Sequence, residues 1–243
     1  VAIPSHHATN SKKLLDGVTL PANQTPEKDL NDAIDNVFNH PNVGPFVGKF
    51  LIQQLVTSNP TPEYVNRVTS AFNNNGKGVR GDMKAVIRAI LVDPEARGDS
   101  KTDPRYGHLK EPVLYTMNVL RAMNGKTDGN VIRYFNLTMG QEAFTPPSVF
   151  NYYPPDYVLA SEKISAPEFG IQNSSTAMLR INFAASMLFN RPAYYDAAQN
   201  KYITPLADTI TGTYRDSNFN GSIGTTIDWA SWKPIAADTT KLI

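Results

Sequence analysis

The sequence contains no cysteine, which excludes disulfide bonds, a thiolate nucleophile and cysteine-ligated metals. It also has no apolar run near the roughly 18–20 residues that a membrane-spanning helix needs. Lysine and arginine (23) nearly balance aspartate and glutamate (22), and the basic residues are scattered along the chain. We therefore expect no nucleic-acid partner and no anionic membrane surface. The lack of cysteine also favours an exported protein.

Histidine is scarce as well, with only His6, His7, His40 and His108 in 243 residues. No two of them have the i, i+4 spacing that places two imidazoles on one metal ion. We therefore predict no metal site and no cofactor. His40 stands before a proline at a helix end, where an imidazole commonly caps carbonyl groups. For His6 and His7 a second interpretation remains, in which they belong to a site that the missing half of the domain completes.

Helical spacing of apolar residues is the strongest pattern in the chain. Four helices with short connections are predicted between residues 25 and 97, and three of them begin at a capping Thr25, Thr61 or Asp82. The residues predicted to face inward, in order of helix, are Leu30, Ile34, Val37 and Phe38; Val47, Phe50, Leu51 and Leu55; Tyr64, Val65, Val68, Ala71 and Phe72; and Met83, Val86, Ile87, Ile90 and Leu91.

The remainder of the chain alternates between helix and loop. Helices are predicted near 111–124 and 174–190, and their inward residues are Leu114, Met117 and Leu120, then Met178, Ile181, Ala185 and Leu188. Clustered prolines in 126–172 exclude a long helix and predict an ordered surface loop. A polar tail follows, with a short helix near 228–237 and a calcium-loop-like run at 216–221 that we interpret as a polar turn.

These patterns together predict an all-α fold, a multi-helix array with long ordered loops rich in proline and aromatic residues. We expect one domain over 1–243, composed of a helical core at 25–97, a helix and aromatic loop at 98–172, and a helix and polar tail at 173–243. With 41% hydrophobic residues, the chain is apolar enough to build such a core.

Seven segments in fixed order carry a resemblance to a known family. They are residues 40–47, 51–60, 78–86, 88–97, 110–114, 147–153 and 166–169. In this order they resemble the bacterial domain-of-unknown-function family DUF 1800. The resemblance spans nearly the whole chain but covers only the carboxyl-terminal half of that family's domain. The chain also opens on Val1, which indicates processing or truncation.

The resemblance implies an extracytoplasmic protein, either periplasmic, on the cell surface or secreted. It implies two partners: the missing amino-terminal half of the domain, and an exported sulfatase-like protein of family DUF 1501, whose gene often lies alongside. It supplies no reaction, because the family has no settled activity.

A cluster of rings within 144–157 is the first candidate site. Phe150, Asn151, Tyr152, Tyr153 and Tyr157 form the predicted binding residues, with Phe144 beside them. The rings either cover the core or form a flat amphipathic platform that suits a sugar ring or a partner protein.

Polar residues in the family-like segments form the second candidate site. His40, Arg80, Asp82 and Lys110 are interpreted as a structural hydrogen-bond network. Alternatively, Glu111 and Glu168 are paired carboxylates of a hydrolase acting on a polysaccharide or another polymer, which predicts their carboxyl groups within about 5–10 Å of each other in an open cleft.

No complete catalytic set is visible in the sequence. It has neither a Gly-x-Ser-x-Gly elbow nor a glycine-rich phosphate loop. The leading hypothesis is therefore a binding or assembly component that acts with a protein partner or a surface glycan. A structural subunit held by the other half of its domain is a third possibility, which exposed apolar helix faces would favour.

Overall fold

The computed structural model of the protein describes residues 3–98, 102–189, 194–196, 201–203, 225–226 and 234. The chain divides into two compact units, Val1–Gly107 and His108–Ile243. Both are mainly helical, which confirms the predicted fold class. The calcium-like run at 216–221 lies outside the described residues, as does all of the predicted helix at 228–237 except Pro234. Among the described residues, no helix has the length and apolar character needed to cross a membrane.

The first unit contains five helices among its described residues, preceded by a small hairpin. Its hairpin strands β1 and β2 pair antiparallel, with Lys12 opposite Leu20. The bounds are β1 Lys12–Lys13, β2 Thr19–Leu20, α1 Pro26–Asn39, α2 Val43–Leu55, α3 Pro62–Asn73, α4 Met83–Val92 and α5 Pro94–Arg97.

The starts of α1, α3 and α4 follow the predicted capping chemistry. The Thr25 hydroxyl accepts the Lys28 amide, and the Thr61 hydroxyl accepts the Tyr64 amide. A proline occupies the first position of both helices, where its missing N–H has no intrahelical partner to lose. The Asp82 carboxylate accepts two amides at the start of α4. The three predicted helix starts are therefore confirmed.

The core of the first unit lies between α2, α3 and α4. Its buried apolar side chains are Ile52, Tyr64, Val68, Phe72, Val86 and Ile90. Most of these were predicted from periodicity. On α2, the predicted Val47 and Leu51 pack against this core, but the buried Ile52 was missed. That helix presents Gly44, Gly48 and Ile52 to the core, while Phe50 and Leu55 are exposed.

Close approach of two backbones explains the α2 face. A Cβ placed on Gly48 would lie 3.1 Å from Val68 Cγ1, and one on Gly44 would lie 3.1 Å from Thr69 Cγ2. Glycine therefore lets α3 pack directly on the α2 backbone. Glycine adds nothing to a hydrophobic pattern, so periodicity missed the buried Gly44 and Gly48 and placed Phe50 and Leu55 inward.

The second unit contains three helices and several two-stranded ribbons among its described residues. The helices are α6 Pro112–Ala122, α7 Asn130–Thr138 and α8 Ser174–Phe189, with a short 3-10 helix at Pro167–Ile171. The antiparallel ribbons pair β3 Lys126–Thr127 with β8 Thr225–Thr226, β4 Val158–Leu159 with β5 Ile164–Ser165, and β6 Tyr194–Asp196 with β7 Lys201–Ile203.

Helix α7 lies inside the segment 126–172, which the sequence predicted as loop. Its N-cap is Gly129 in a left-handed conformation (φ 91°), and Asp128 Oδ1 accepts the Asn130 amide. The side chain that caps α7 therefore belongs to the residue before the N-cap, one position earlier than in the usual start signal. Ile132 of α7 packs in the core of this unit with Leu120, Phe183 and Met187.

Helix α8 buries a different face from the one predicted. Phe183 and Met187 are buried, whereas Met178 and Ile181 are exposed. Apolar residues occur on nearly every side of α8, so periodicity alone could not select the buried face. The prediction for α6 holds better: Leu120 is buried and Met117 packs against the core, while the predicted Leu114 is exposed.

Candidate functional site

The loop 142–153 projects three apolar side chains into solvent. Phe144 is 100% exposed, Val149 96% and Phe150 70%. We call these three residues the loop tip. A soluble protein exposes single apolar residues routinely, but three large ones within seven positions of one loop are typical of a contact surface.

Tyrosine hydroxyls fasten the base of this loop. The half-buried Tyr152 hydroxyl donates to the Glu142 carbonyl and accepts the Thr145 amide at 3.2 Å. Tyr153 is buried, and its hydroxyl donates to Glu111 Oε1.

Of the three predicted binding tyrosines, Tyr152 and Tyr153 therefore support the loop from within. Tyr157 is half-buried beyond the loop, and its amide donates to the Pro154 carbonyl at 3.2 Å. Residues 143–151 are exposed, and the loop tip supplies the large apolar side chains among them. Val149 was not among the predicted residues.

Local backbone geometry also constrains the loop. Phe144 (φ 66°) and Asn151 (φ 70°) both adopt the left-handed conformation. Asparagine tolerates it, whereas a phenylalanine held there carries strain of about 1–3 kcal/mol. Between them, the Ser148 hydroxyl accepts the Phe150 amide, and the Ser148 carbonyl accepts the Asn151 amide. These bonds give the loop tip a defined shape.

The Glu111 carboxylate is the hub of the loop's support. It accepts hydrogen bonds from the Tyr153 hydroxyl and from the Gln141 side-chain amide. Gln141 is buried, and its own carbonyl oxygen accepts the Val113 amide at 3.0 Å in the first turn of α6. Glu111 thus connects the start of α6 to both ends of the loop. Gln141 was not predicted, because an isolated glutamine after a Met-Gly pair carries no sequence signal.

Glu168 makes a structural contact at the same segment. Its carboxylate is buried and accepts the Leu109 amide at 2.8 Å. Both carboxylates therefore make hydrogen bonds that hold the segment 109–113 in place. Glu168 binds a backbone amide of this segment, and Glu111 binds the Gln141 and Tyr153 side chains. The pairing of the two carboxylates in a hydrolase stays a prediction.

The predicted polar network has its members in both units. His40, Arg80 and Asp82 belong to the first unit, and Lys110 belongs to the second, where its carbonyl accepts Arg180 Nη1 at 2.7 Å. Asp82 caps α4 and also accepts the Asn75 side-chain amide. These hydrogen bonds lower the pKa of Asp82, the largest contribution coming from Asn75.

Arg80 takes the carbonyl-capping role that the sequence suggested for His40. Arg80 Nε donates to the Phe38 carbonyl and Nη2 to the His40 carbonyl, each at 3.1 Å, so Arg80 caps the carbonyl end of α1. Its guanidinium lies 4.9 Å from the Phe72 ring centroid and 5.6 Å from that of Phe38. His40 Nδ1 instead accepts the Asn42 amide at 3.1 Å, ahead of α2.

The variant Arg80→Lys is expected to lower the free energy of unfolding by about 1–2 kcal/mol. A lysine ammonium cannot reach both carbonyls in the fixed geometry of a guanidinium, and it packs less well against the Phe38 and Phe72 rings. Chemical denaturation would measure the loss. Arg88→Lys on the exposed side of α4 is the matched control and should change stability by no more than about 0.5 kcal/mol. Equal effects of the two substitutions would contradict the capping role.

Two open clefts lie in the first unit. One, of about 510 Å³, is between the hairpin and α1, and the other, of about 450 Å³, is lined by Thr61, Glu95 and Tyr106 among others. Neither contains a predicted site residue. The described residues include no group of three or more histidines and carboxylates arranged to hold a metal ion.

The family of this chain is decided by its sequence over most of its length. Residues 1–223 match the family described as "Protein of unknown function (DUF1800)". The chain belongs to the DUF1800 family. No curated protein and no solved structure matches it.

The DUF1800 match includes the loop 142–153, both candidate carboxylates and the Arg80 cap. The family's description names no activity, so membership in DUF1800 assigns no role to any of these residues. The functional argument for this chain therefore depends on the geometry described above.

Proposed function

We propose that this chain is a binding component that acts outside the cytoplasm and presents its loop tip to a partner protein. One observation carries the proposal: Phe144 and Val149 are almost fully exposed and Phe150 is 70% exposed, on a loop whose base is held by the buried Tyr153. Aromatic anchors on a preorganised loop lose little conformational entropy on binding and commonly supply most of the affinity of an interface.

The chemistry of the loop tip favours a protein over a glycan. Sugar-binding platforms combine ring faces with free hydroxyl or amide groups that bind sugar hydroxyls. Here the Tyr152 and Tyr153 hydroxyls are engaged within the loop and with Glu111. The loop tip presents two phenyl rings and an isopropyl group, which suit an apolar protein pocket. The polar side chains exposed beside it are those of Thr145, Ser148 and Asn151.

Charge around the loop tip restricts the partner further. Between Arg133 and Lys163 the chain has three acidic residues, Glu142, Asp156 and Glu162, and no lysine or arginine. Arg133 Nε lies 2.5 Å from Glu142 Oε1 and offsets that charge, so repulsion of acidic partners and of anionic lipid depends on Asp156 and Glu162. We expect a partner whose apolar pocket has a neutral or basic rim. The exported sulfatase-like protein of family DUF 1501 is the first candidate, and the amino-terminal half of the domain is the second.

The double variant Phe144→Ser/Phe150→Ser is expected to weaken binding to the DUF 1501 protein by at least about 30-fold, because it removes two aromatic anchors. Biolayer interferometry with the purified partner would measure this change. Leu137→Ser, which alters a half-exposed residue of α7 in the same unit, is the control and should bind normally. Thermal melts should agree for both variants and the parent chain.

Other outcomes would decide against the proposal. Binding that survives the double variant would exclude the loop tip as the contact. Glycan binding that the double variant abolishes would replace the protein partner with a sugar. If the DUF 1501 protein does not bind, a photo-crosslinking residue at position 150 in the producing cell provides the next test. No protein adduct there would exclude the proposal altogether.

The hydrolase alternative draws no support from the contacts described for its two carboxylates. The carboxylates of Glu111 and Glu168 bind Tyr153, Gln141 and the Leu109 amide, as supports of the fold commonly do. Protein binding through the loop tip is the function that the geometry supports best.

A further inference from the structure

The second cleft of the first unit, of about 450 Å³, has the size of a small-molecule site, which is typically about 300–1,000 Å³. Its lining comes from the segment that precedes α3, from α5 and from the loop that follows α5. The polar side chains that line it are Asn59, Thr61, Glu95, Asp103, Arg105 and Tyr106. We call it the Glu95 cleft. Its residues all belong to the first unit, so a ligand bound there does not depend on the loop tip.

The Glu95 carboxylate is held in place at the wall of this cleft. Its Oε1 accepts the Thr61 amide at 3.1 Å, and its Oε2 accepts the Thr61 hydroxyl. Glu95 is half-buried, and it makes no ion pair with any lysine, arginine or histidine that the structure describes. Each of its carboxylate oxygens keeps a second lone pair for another donor. The cleft therefore contains a positioned negative charge with no described ion-pair partner.

The Tyr106 ring lines the same cleft, within reach of this charge. Tyr106 is half-buried, and its hydroxyl makes no hydrogen bond to another described residue. Burial raises the pKa of the Tyr106 hydroxyl, and the charges of Glu95 and Asp93 raise it further. Both carboxylates are therefore close enough to act on Tyr106. A positive charge at this ring would be attracted by the ring face and by the carboxylates.

The other described charges near the cleft cancel in pairs. Asp103 Oδ2 lies 3.1 Å from Arg105 Nη2, and both side chains are exposed. Asp93 is paired with Arg67. One uncompensated negative charge thus remains, and it disfavours an anionic ligand. Metal binding has no support either, because the described residues include no group of three or more histidines and carboxylates that could hold a metal ion.

We propose that the Glu95 cleft binds a small organic cation, whose ammonium group is balanced by the Glu95 carboxylate and packs on the Tyr106 ring. Aromatic rings are a common means of recognising ammonium groups, and quaternary ammonium groups in particular. A carboxylate in a cleft partly shielded from water adds charge attraction. A neutral sugar would gain hydrogen bonds there but no charge attraction, so the charge of the ligand distinguishes the two classes.

Choline and 3,3-dimethylbutan-1-ol provide a matched pair of probes, because they have nearly the same shape and only choline is charged. Titration of each probe into the whole chain, followed by NMR, should show choline binding at least about ten-fold more tightly. The difference should fall as salt is added, because salt screens the attraction to Glu95. Equal affinities for the two probes would overturn the proposal, and so would a lack of choline binding at millimolar concentrations.

The variant Glu95→Gln tests which group supplies the attraction. It should weaken choline binding about ten-fold or more and leave binding of the uncharged probe unchanged, a selectivity that a purely structural role would not produce. Glu63→Gln, at an exposed carboxylate of α3 outside the cleft, is the matched control and should bind choline as the parent chain does. Unchanged choline binding by Glu95→Gln would exclude the proposal.

The variant Tyr106→Leu keeps the test decisive if loss of the Thr61 contacts unfolds Glu95→Gln. Leucine retains apolar bulk but has no ring face, so choline should bind about five-fold more weakly or less tightly still. Circular dichroism melts identify a folded variant. A folded Tyr106→Leu chain that binds choline as tightly as the parent chain would also overturn the proposal.

Discussion

Replacing Phe183 with alanine is expected to lower the free energy of unfolding by about 3–5 kcal/mol, the largest effect that we expect of any single substitution. Phe183 belongs to α8, and its side chain is fully buried in the core of the second unit. Its ring makes edge contacts with Tyr115 at 5.6 Å and with Phe135 at 5.1 Å between centroids. Alanine would leave a cavity among α6, α7 and α8 and remove both ring contacts. Guanidinium denaturation followed by circular dichroism would measure the loss.

Ile181→Ala on the same helix is the matched control. Ile181 is mostly exposed, so its truncation should change the free energy of unfolding by no more than about 0.5 kcal/mol. Periodicity in the sequence predicts the opposite order, with Ile181 inward. A larger loss for Ile181→Ala than for Phe183→Ala would mean that α8 packs with its other face.

Asp93→Ala is expected to lower the free energy of unfolding by about 2–3 kcal/mol. The buried Asp93 carboxylate accepts Arg67 Nε at 2.7 Å and Nη2 at 2.8 Å, and it caps α5 through the Glu95 amide at 2.9 Å. One carboxylate therefore joins α3, α4 and α5. The expected loss is below that of a fully buried ion pair, because the Arg67 side chain is 47% exposed and water can solvate its charge.

Acid should remove the difference between Asp93→Ala and the parent chain. Burial alone would raise the pKa of Asp93, but hydrogen bonds from Arg67 and the Glu95 amide hold that pKa below the ordinary value of 3.8. The contribution of Asp93 is therefore fully present above pH 3.8 and lost as the pH falls through the lowered pKa. Urea titrations from pH 7 downwards should show the two stabilities converging in that acid range.

Asp103→Ala provides the comparison for Asp93. Asp103 also binds an arginine through two oxygens, but its pair with Arg105 is exposed on both sides. Solvent-exposed ion pairs contribute about 0–1 kcal/mol, so this variant should remain close to the parent chain. Equal losses of unfolding free energy in Asp93→Ala and Asp103→Ala would show that burial does not strengthen the pair of Asp93 with Arg67.

Sequence reasoning succeeded where a local chemical signal defines the structure. Thr25, Thr61 and Asp82 each combine a capping oxygen with an apolar period that follows at once. Both features are local, so they need no knowledge of distant residues. The all-α fold class and the starts of three helices follow from them.

The buried faces were harder to predict because they depend on neighbours. Gly48 adds nothing to the hydrophobic pattern of α2, yet α3 packs directly against the α2 backbone at this residue. In α1 the four residues predicted inward are exposed, and the buried residue is Asp29, whose Oδ2 lies 2.7 Å from His7 Nε2 and from Lys12 Nζ. Periodicity detects an apolar stripe and cannot tell which partner covers it.

The candidate site was predictable as a region and not by its individual residues. Clustered prolines predicted an ordered loop over 126–172, of which α7 takes Asn130–Thr138, and the clustered rings placed the candidate site within 144–157. Irregular backbone has no side-chain period, so nothing in the sequence separates the buried Tyr153 from the exposed Val149. Their separation depends on Glu111, more than thirty residues earlier in the chain, which binds one hydroxyl of the loop.

In the loop 142–153, one set of side chains holds the loop and another forms its exposed tip, which affects how such a protein can evolve. The side chains that hold the loop point inward, and the three that form the loop tip take no part in holding it. Substitutions at the loop tip should therefore pass with little change in folding, typically within about 0.5 kcal/mol. The loop tip can then change its binding partner in evolution while the residues that hold the loop are conserved.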